Sequence, residues 1–505
     1  MESLQLLLAG FAEAFTPGHL LMAAAGALVG TFVGVLPGLG PTSAIAILLP
    51  LTGVLEPTEG IIMLAGIYYG AMYGGSTTAI LLNIPGEVSS VPTCLDGYPL
   101  AKKGRGGPAL GMTAIASFVA GTMGVIGLVF FAPLLADQAL KFGPPEYFAL
   151  MVLALSVMVS LSGGAIAKAA IMGALGYVLA MIGLGPSSGL PRFDYGSSVL
   201  TGGLEMTSVI IGLFAISEVL KGMAERRMTI SAKQIGSVYP SAADLRQTAR
   251  PILQGGLVGF LLGLLPGCSA AVSSFLAYDL EKKVSKHPER FGKGAIEGVA
   301  APEAANNATS SAGFIPLFAL GIPASPPLAV LLAGLMIYGL SPGPVLFEQN
   351  GLFVWTVIAS MFIGNAMLLV LNLPLVWLWV KLTRIPYGVM APVILLLCTI
   401  GAYSVRNSLF DVGVALLFGV FGCVLMKYQW PVVPLILCFI LGPLLEESLL
   451  QSMAMSDGNP AIFFERPLSL GILILAAILL VVSLKLMRRT QKRVEALENE
   501  KSDVA

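Results

Sequence analysis

Apolar runs close to the length of a membrane helix, separated by short polar loops, follow one another along most of the chain. Roughly twenty apolar residues in a helix cross a bilayer, whereas a membrane barrel shows alternating segments of about ten residues. Because the runs are rich in Leu, Ala, Gly and Ile, they predict membrane-spanning helices. The predicted spans are residues 60–82, 108–135, 145–161, 165–186, 199–220, 308–340, 352–380, 386–403, 407–427, 431–445 and 467–487.

Two further apolar segments, residues 17–55 and 251–280, contain the same break. Residues 30–38 read GTFVGVLPG and residues 259–267 read GFLLGLLPG. Proline removes a backbone donor and glycine is flexible, so each Leu-Pro-Gly is expected to interrupt its helix. Matching interrupted segments in two halves of a chain indicate the binding site of a secondary transporter. The alternative is that Gly-x-x-x-Gly forms a helix-packing surface.

Each break is followed downstream by a hydroxyl-rich stretch and then by Ile-Pro. YGGSTTAI at 73–80 precedes Asn-Ile-Pro-Gly at 83–86, and NNATSSA at 306–312 precedes Gly-Ile-Pro-Ala at 321–324. Freed N–H groups at a half-helix N-terminus suit a carboxylate, whereas freed carbonyls with Ser, Thr and Asn oxygens suit sodium. The alternative for any single hydroxyl is a bond to its own backbone. The candidate substrate- and ion-binding residues are Pro37, Gly38, Gly40, Thr42, Ser43, Ser76, Thr77, Thr78, Asn83, Pro85, Pro266, Gly267, Ser269, Ser273, Asn306, Asn307, Thr309, Ser310 and Pro323.

Several further polar residues near these segments have predicted structural or functional roles. Thr42, Ser43 and Ser269 are placed to cap the half-helices that follow the breaks. Glu303 is either a proton-relay acid inside the membrane or a cap of the span that follows it. Glu281, beside lysines, is expected at a solvated interface.

The lysines and arginines give the topology. The positive-inside rule places the basic loops at 102–105, 221–250 and 282–293, and the C-terminus from Lys485 onward, in the cytoplasm. The second break is flanked by such loops and the first by none, so the two segments are expected to enter from opposite faces as re-entrant hairpins. The basic residues left on the outer face are Lys141, Arg192, Arg406 and Arg466.

Composition supports this assignment. The 505 residues are 56% apolar and 11% charged, with no net charge, whereas a soluble protein carries about 25% charged residues. We predict an all-α polytopic membrane protein with about 11 membrane-spanning helices and two broken-helix hairpins arranged as an inverted repeat. The predicted parts are a first repeat at 1–225 with its hairpin at 30–52, a connector at 226–250, a second repeat at 251–487 with its hairpin at 259–280, and a charged tail at 488–505.

Other classes of function find little support in the residues. The five cysteines include no CxxC pair and most lie in apolar runs, so neither a disulfide framework nor a metal site is expected. There is no HExxH motif or Walker loop, and with two histidines no catalytic constellation is evident. We expect no cofactor, no enzyme activity and no cleavable signal peptide, since the first lysine or arginine is Lys102.

These segments resemble the TctA family, the large membrane subunit of tripartite tricarboxylate transporters. The resemblance rests on GTFVGVLPGLGPTSAIAILLPLT at 30–52, YYGAMYGGSTTAILLNIPGE at 68–87 and the block 263–323, which begins GLLPGCSAAVSSF and ends FIPLFALGIP. It implies a bacterial inner-membrane permease that works with a small four-helix membrane subunit and a periplasmic solute-binding protein. The implied substrates are citrate and other tricarboxylates, dicarboxylates or aromatic acids, taken up with an ion gradient.

Together these observations predict a carboxylate permease that works by alternating access, coupled to sodium or protons, with a cytoplasmic C-terminus. The alternative is a passive channel or exporter for small organic anions that works without a binding protein.

Overall fold

The computed structural model describes residues 2–36, 40–160, 166–185, 189–224, 236–265, 267–382 and 387–481. Most of these residues are helical, which confirms the predicted all-α class for this part of the chain. In it, six helices are long and apolar enough to cross a membrane: Pro17–Val35, Gly106–Ala139, Met206–Met223, Gly351–Asn372, Leu409–Lys427 and Val432–Met455. The protein is therefore a multi-pass helical membrane protein.

The helices in chain order are α1 (Glu2–Ala14), α2 (Pro17–Val35), α3 (Pro41–Thr52), α4 (Pro57–Leu82), α5 (Val91–Lys102), α6 (Gly106–Ala139), α7 (Pro144–Ser160), α8 (Ile166–Ala180), α9 (Ser198–Thr201), α10 (Met206–Ile210), α11 (Ser217–Ala224), α12 (Ala242–Gly263), α13 (Ala270–Val284), α14 (Glu297–Ala312), α15 (Phe314–Leu320), α16 (Pro326–Ile337), α17 (Pro344–Gln349), α18 (Gly351–Asn372), α19 (Val376–Leu382), α20 (Tyr387–Ser404), α21 (Leu409–Lys427), α22 (Val432–Met455), α23 (Ile462–Glu465) and α24 (Pro467–Val481). A π-helical turn at Ile211–Ile216 joins α10 to α11, and 3-10 turns lie at Val88–Ser90 and Pro288–Arg290. Strands Gly183–Leu184 and Pro191–Arg192 pair antiparallel.

Contacts divide the chain into two compact units. The larger unit comprises Met1–Leu140 and Glu205–Cys423, and it contains both broken segments. The smaller unit comprises Lys141–Leu204 and Val424–Ala505. Within the smaller unit, α22 packs against α7 and α8. The predicted division into repeats at 1–225 and 251–487 stays a prediction, and the tail 488–505 lies outside the described residues.

The smaller unit pairs two of the arginines that were predicted on the outer face. Arg466 contacts the buried Glu146 at 2.6 Å, and Arg192 contacts Glu446 at 2.7 Å.

Helix α12 begins earlier than the hydropathy pattern indicated. Ser241 accepts a hydrogen bond from the Asp244 backbone N–H, and the Asp244 carboxylate accepts one from the Ser241 backbone N–H, which forms a capping box. Arg105 donates to the same carboxylate at 2.6 Å. The last residues of the predicted connector 226–250 are therefore helical, while 225–235 lie outside the described part of the chain.

The prediction of one continuous span at 308–340 is wrong. The chain there forms α14, α15 and α16, with a break at 321–325 between the last two. Gly321 adopts a left-handed conformation and Pro323 cannot continue a helix, so the apolar run conceals an interruption. The predicted span 352–380 also divides, into α18 and α19. Residues 1–16, which hydropathy left open, contain the helix α1.

Helix α14 lies at the centre of the larger unit. Every residue of Glu297–Ala312 is buried, and the helix packs against α6, α12 and α13. Its sequence is rich in Ala, Asn, Ser and Thr, so the centre of the larger unit is lined with small and polar side chains. Polar groups buried in a membrane protein are costly unless they are paired or functional, which directs attention to this helix.

Candidate functional site

The first broken segment packs against α4 through glycines. Gly26, Gly30 and Gly34 lie four residues apart on α2 and contact the α4 backbone. A Cβ atom on Gly30 would lie 2.8 Å from the Cα atom of Ile67, which is closer than side chains approach. The packing role of Gly-x-x-x-Gly, left open from sequence, is therefore present here.

The second broken segment repeats the arrangement. Gly255, Gly259 and Gly263 of α12 contact the α14 backbone, and a Cβ atom on Gly259 would lie 2.7 Å from the Cα atom of Ala305. Each of these glycines follows its counterpart in α2 by the same number of residues. The two helix pairs, α2–α4 and α12–α14, are thus built on one pattern, and we call them the paired-helix units.

The two Ile-Pro sequences also end their helices in the same way. Asn83 follows α4 with φ 58°, and Gly321 follows α15 with φ 72°, so both residues are left-handed. Glycine and asparagine are the residues that tolerate this conformation. Pro85 and Pro323 each come two residues later, where they prevent the helix from resuming. The role of Asn83 in the structure is that of a helix terminator.

Hydrogen bonds close both ends with the same spacing. The Ile84 N–H donates to the Thr78 carbonyl at 3.3 Å, and the Ile322 N–H donates to the Pro316 carbonyl at 3.1 Å. In each case the residue after the left-handed position bonds to a carbonyl six residues earlier, one residue further back than in a Schellman motif. The two breaks are therefore equivalent at the level of individual backbone groups.

The hydroxyl-rich stretches are not equivalent. When the two Ile-Pro breaks are aligned, Ser76–Thr78 corresponds to the apolar Phe314–Pro316, and Asn306–Ser311 corresponds to Tyr68–Tyr73. Both halves carry a hydroxyl-rich stretch ahead of Ile-Pro, but the two stretches lie at different distances from it. One half contributes hydroxyls near the helix end, and the other contributes them from deeper in its helix.

The Leu-Pro-Gly turns are described only in part. Pro37, Gly38 and Pro266 lie outside the described residues. Gly267 is left-handed, with φ 83°, and its N–H donates to the Ala324 carbonyl at 3.0 Å. The turn of the second broken segment therefore contacts the Ile-Pro loop of the same half.

The expected helix caps differ in the structure. Gly40 occupies the N-cap of α3, so Thr42 and Ser43 lie inside the helix and do not cap it. The Ser43 hydroxyl instead donates to the Phe214 carbonyl at 2.9 Å. Ser269 is the N-cap of α13 as predicted, but its side chain makes no capping hydrogen bond.

Several predicted hydroxyls bond to nearby backbone, which is the structural alternative stated above. The bonds join Thr78 to Gly75, Ser273 to Ala270, Thr309 to Ala305 and Ser310 to Asn306. Thr309 also donates to the Ser273 hydroxyl at 2.6 Å, which joins α14 to α13. Thr77 is buried. The Asn307 amide donates to the Ser117 hydroxyl at 2.7 Å and so joins α14 to α6.

A buried carboxylate, Glu303, and a partly buried one, Glu87, meet between the paired-helix units. Glu303 lies in the middle of α14, is fully buried, and accepts a hydrogen bond from the Thr93 hydroxyl at 2.5 Å. Glu87 follows the first Ile-Pro break and accepts bonds from the Asn306 amide, at 3.2 Å, and from the Ser89 hydroxyl. Glu303 does not cap the following helix, so that alternative is wrong.

Two serines from the first half complete this arrangement. Ser76 of α4 faces the Glu303 carboxyl. Ser90 lies against Gly75, where an added Cβ atom would be 2.7 Å from the Ser90 hydroxyl and 3.1 Å from the Glu87 side chain. The carboxylate cluster, as we name it, comprises Ser76, Glu87, Ser90, Glu303 and Asn306.

Sequence reasoning selected Ser76 and Asn306 for the site but overlooked Glu87. The available signal was its position directly after the Ile-Pro-Gly break, where an acid in a chain so poor in charge is unusual. Glu303 was noticed without being assigned, because its apposition to Glu87 depends on the packing of α14.

In the larger unit, the helix that follows each Pro-Gly break packs against segments from the other half of the sequence. Helix α3, after the first Pro-Gly break, packs against α16, which follows the second Ile-Pro break. Reciprocally, α13, after the second Pro-Gly break, packs against α5 and Val88–Ser90, which follow the first Ile-Pro break. Each half therefore completes the surroundings of the other.

Comparisons with known proteins agree with the sequence reading. A model of the tripartite tricarboxylate transporter TctA family matches residues 20–437. A protein of Agrobacterium vitis named "Uncharacterized 52.8 kDa protein in TAR-I ttuC' 3'region" is 44% identical over 485 residues, which cover 96% of this chain and 97% of that protein. Another from the same organism, "Uncharacterized protein in TAR-II ttuC' 3'region", is 46% identical over 227 residues, covering 45% of this chain and 93% of the relative. No solved structure matches.

Proposed function

Because the chain belongs to the tripartite tricarboxylate transporter TctA family, we propose that it is the large permease subunit of a binding-protein-dependent importer of tricarboxylates or related carboxylates. The ion gradient of sodium or protons drives uptake, and the permease works by alternating access. Its partners are a small four-helix membrane subunit and a periplasmic solute-binding protein, in the bacterial inner membrane with the C-terminus in the cytoplasm.

The observation that carries the proposal is the pair of matching broken-helix units. Both have a glycine-packed helix pair, a Leu-Pro-Gly sequence and an Ile-Pro break closed by the same hydrogen bond. Irregular backbone within a membrane protein is tolerated where it is buried in protein or lines a cavity, and transporters place their substrates at such breaks. The exchange of α3 and α13 between halves supports an inverted repeat, since a two-fold axis makes such contacts reciprocal.

The substrate carboxylates would bind at the N-termini of α3 and α13. Both helices begin directly after a Leu-Pro-Gly turn and carry no acidic residue in the first turn. Free N–H groups and the helix dipole attract an anion there without a buried arginine. Gly40, Gly267 and Ser269 are the described candidate residues closest in sequence to these ends.

Reconstituted transport tests this function. The chain and its small membrane subunit would be placed in proteoliposomes, and uptake of radiolabelled citrate measured with and without binding protein, under an imposed sodium or proton gradient. We expect accumulation only with binding protein and one gradient, and none after an ionophore dissipates that gradient. Flux without binding protein or gradient would instead identify the passive channel or exporter. Absence of uptake with citrate calls for ligand screening on the binding protein, and failure of every ligand bound there contradicts the proposal.

A further inference from the structure

The two acids of the carboxylate cluster lack basic partners. None of the ion pairs in the described part of the chain includes Glu87 or Glu303. Their hydrogen-bond donors are hydroxyl and amide groups, which carry no charge. Two carboxylates held together in a largely buried site, without an arginine or lysine, create a strong local preference for a cation.

The cluster also contains oxygens that have no partner. Among the described residues, the buried Asn306 Oδ1 and Ser90 Oγ make no hydrogen bond, and Ser76 Oγ and Glu303 Oε2 have no partner beyond the contact between these two side chains. Their residues are at most 1% exposed, so bulk water does not reach them. Native proteins satisfy nearly all buried polar atoms, and a set of unsatisfied oxygens in one place requires an explanation such as an ion.

The direction of these groups supports a shared ligand. The Asn306 amide nitrogen donates to Glu87. The unbonded carbonyl oxygen of Asn306 belongs to the same amide group, so it also lies close to the Glu87 carboxylate. Ser76 faces the Glu303 carboxyl, and Ser90 lies against Gly75 beside Glu87. Three separate elements, α4, the turn Val88–Ser90 and α14, therefore supply oxygens to one place.

We propose that the carboxylate cluster is a sodium-binding site. A proton shared between two oxygens would leave the others unsatisfied, whereas a metal ion is coordinated by several at once. The donors are all hard oxygen ligands, without sulfur or imidazole, which suits an alkali cation and disfavours transition metals. This inference rests on the proposed function, for which it supplies the coupling ion and its ligands.

The position of the site gives sodium a mechanical role. Glu87 follows the break of the first half, while Glu303 and Asn306 belong to α14 of the second paired-helix unit. An ion held by all three joins the first Ile-Pro loop to the central helix, and its release leaves two carboxylates to repel each other. Sodium would therefore favour the conformation in which this loop is closed against α14.

Binding can be measured separately from transport. The full chain, purified with its small membrane subunit, would be titrated with radioactive sodium by equilibrium dialysis, with choline chloride holding the ionic strength constant. We expect saturable binding that potassium does not displace at equal concentration. Glu303→Gln and Glu87→Gln keep the side-chain shape and should each raise the half-saturating sodium concentration at least about tenfold.

Glu281→Gln is the matched control, since Glu281 in α13 is also a buried glutamate with an unpartnered oxygen but lies outside the cluster. The expectation that Glu281 lies at a solvated interface is wrong. Because Glu281 is buried like Glu303, it is a suitable control. Size-exclusion profiles without sodium would establish that each variant is folded. We expect sodium binding by Glu281→Gln to equal that of the unaltered protein.

The outcomes separate this inference from the proposed function. Unchanged sodium binding in folded Glu303→Gln and Glu87→Gln overturns the site, even if uptake is sodium-driven. No saturable sodium binding to the unaltered protein, with proton-driven uptake, overturns the site and leaves the permease function. If both variants lose sodium binding, and the unaltered protein transports none of the ligands that its binding protein binds, the site is upheld and the proposed function is contradicted.

Discussion

Gly259→Ala should leave little folded protein in the membrane. The added methyl group would lie 2.7 Å from the Cα atom of Ala305, and the contacted atoms belong to the α14 backbone, which cannot rotate away. Overpacking of a close contact costs about 1–3 kcal/mol and more where backbone must move. Since α14 carries the carboxylate cluster, its displacement would also disturb the site. The measurement is the yield and thermal midpoint of the detergent-purified chain.

Gly413→Ala is the matched control, because Gly413 lies within α21 and an added Cβ atom there has no neighbour within 4 Å. Alanine favours a helix over glycine by up to about 1 kcal/mol, so this variant should be as stable as the unaltered protein or more so. Equal thermal midpoints for Gly259→Ala and Gly413→Ala would contradict the close packing of α12 and α14.

Asp96→Ala should be the most destabilising removal of a single carboxylate in the larger unit. Asp96 is fully buried and accepts bonds from the Tyr278 hydroxyl at 2.8 Å, the Gly294 N–H at 2.7 Å and the Ala295 N–H at 2.8 Å. Through these bonds, α5 holds both α13 and the segment that leads into α14. Each donor left unpaired costs about 1–3 kcal/mol, so we expect a loss of roughly 3 kcal/mol or more.

Asp279→Ala provides the comparison. Asp279 is exposed and its only described ion pair is with Lys283 on the same helix, an arrangement that contributes less than about 1 kcal/mol. Thermal unfolding of the two variants, followed by the same method in the same detergent, should show a large downward shift for Asp96→Ala and almost none for Asp279→Ala. Similar shifts would mean that the Asp96 hydrogen bonds do not hold the helices together.

Local sequence rules predicted the helical class and the breaks that end α2 and α12 at the Leu-Pro-Gly sequences. Proline and glycine act on their own backbone, so such breaks are readable without knowledge of tertiary contacts. Hydropathy was less reliable at 308–340, because the apolar run continues through Gly321 while its backbone reverses. The same limitation applies to the start of α12, where a polar capping box opens the helix before the apolar residues begin.

The candidate site was only partly predictable. Ser76 and Asn306 could be selected because they stand beside a break, but the role of Glu87 and Glu303 depends on contacts between distant segments. The alignment of the two helix pairs was also hidden from sequence. Helix α4 packs against α2 through glycines, whereas α14 packs against α12 through other small residues. The correspondence becomes visible when the packed backbones, rather than similar side chains, are aligned.

The exchange of helices between halves has a consequence for how this protein is made. Helix α3 is inserted early, yet α16 and α20, against which it packs, are synthesised much later. Until the ribosome completes the second half, the apolar and small side chains of α3 must therefore contact lipid or an insertion factor. A chain that stops within α14 would leave α3 without these neighbours, and membrane quality control should degrade such a fragment quickly. The order of biosynthesis thus makes assembly of both halves a single, late event.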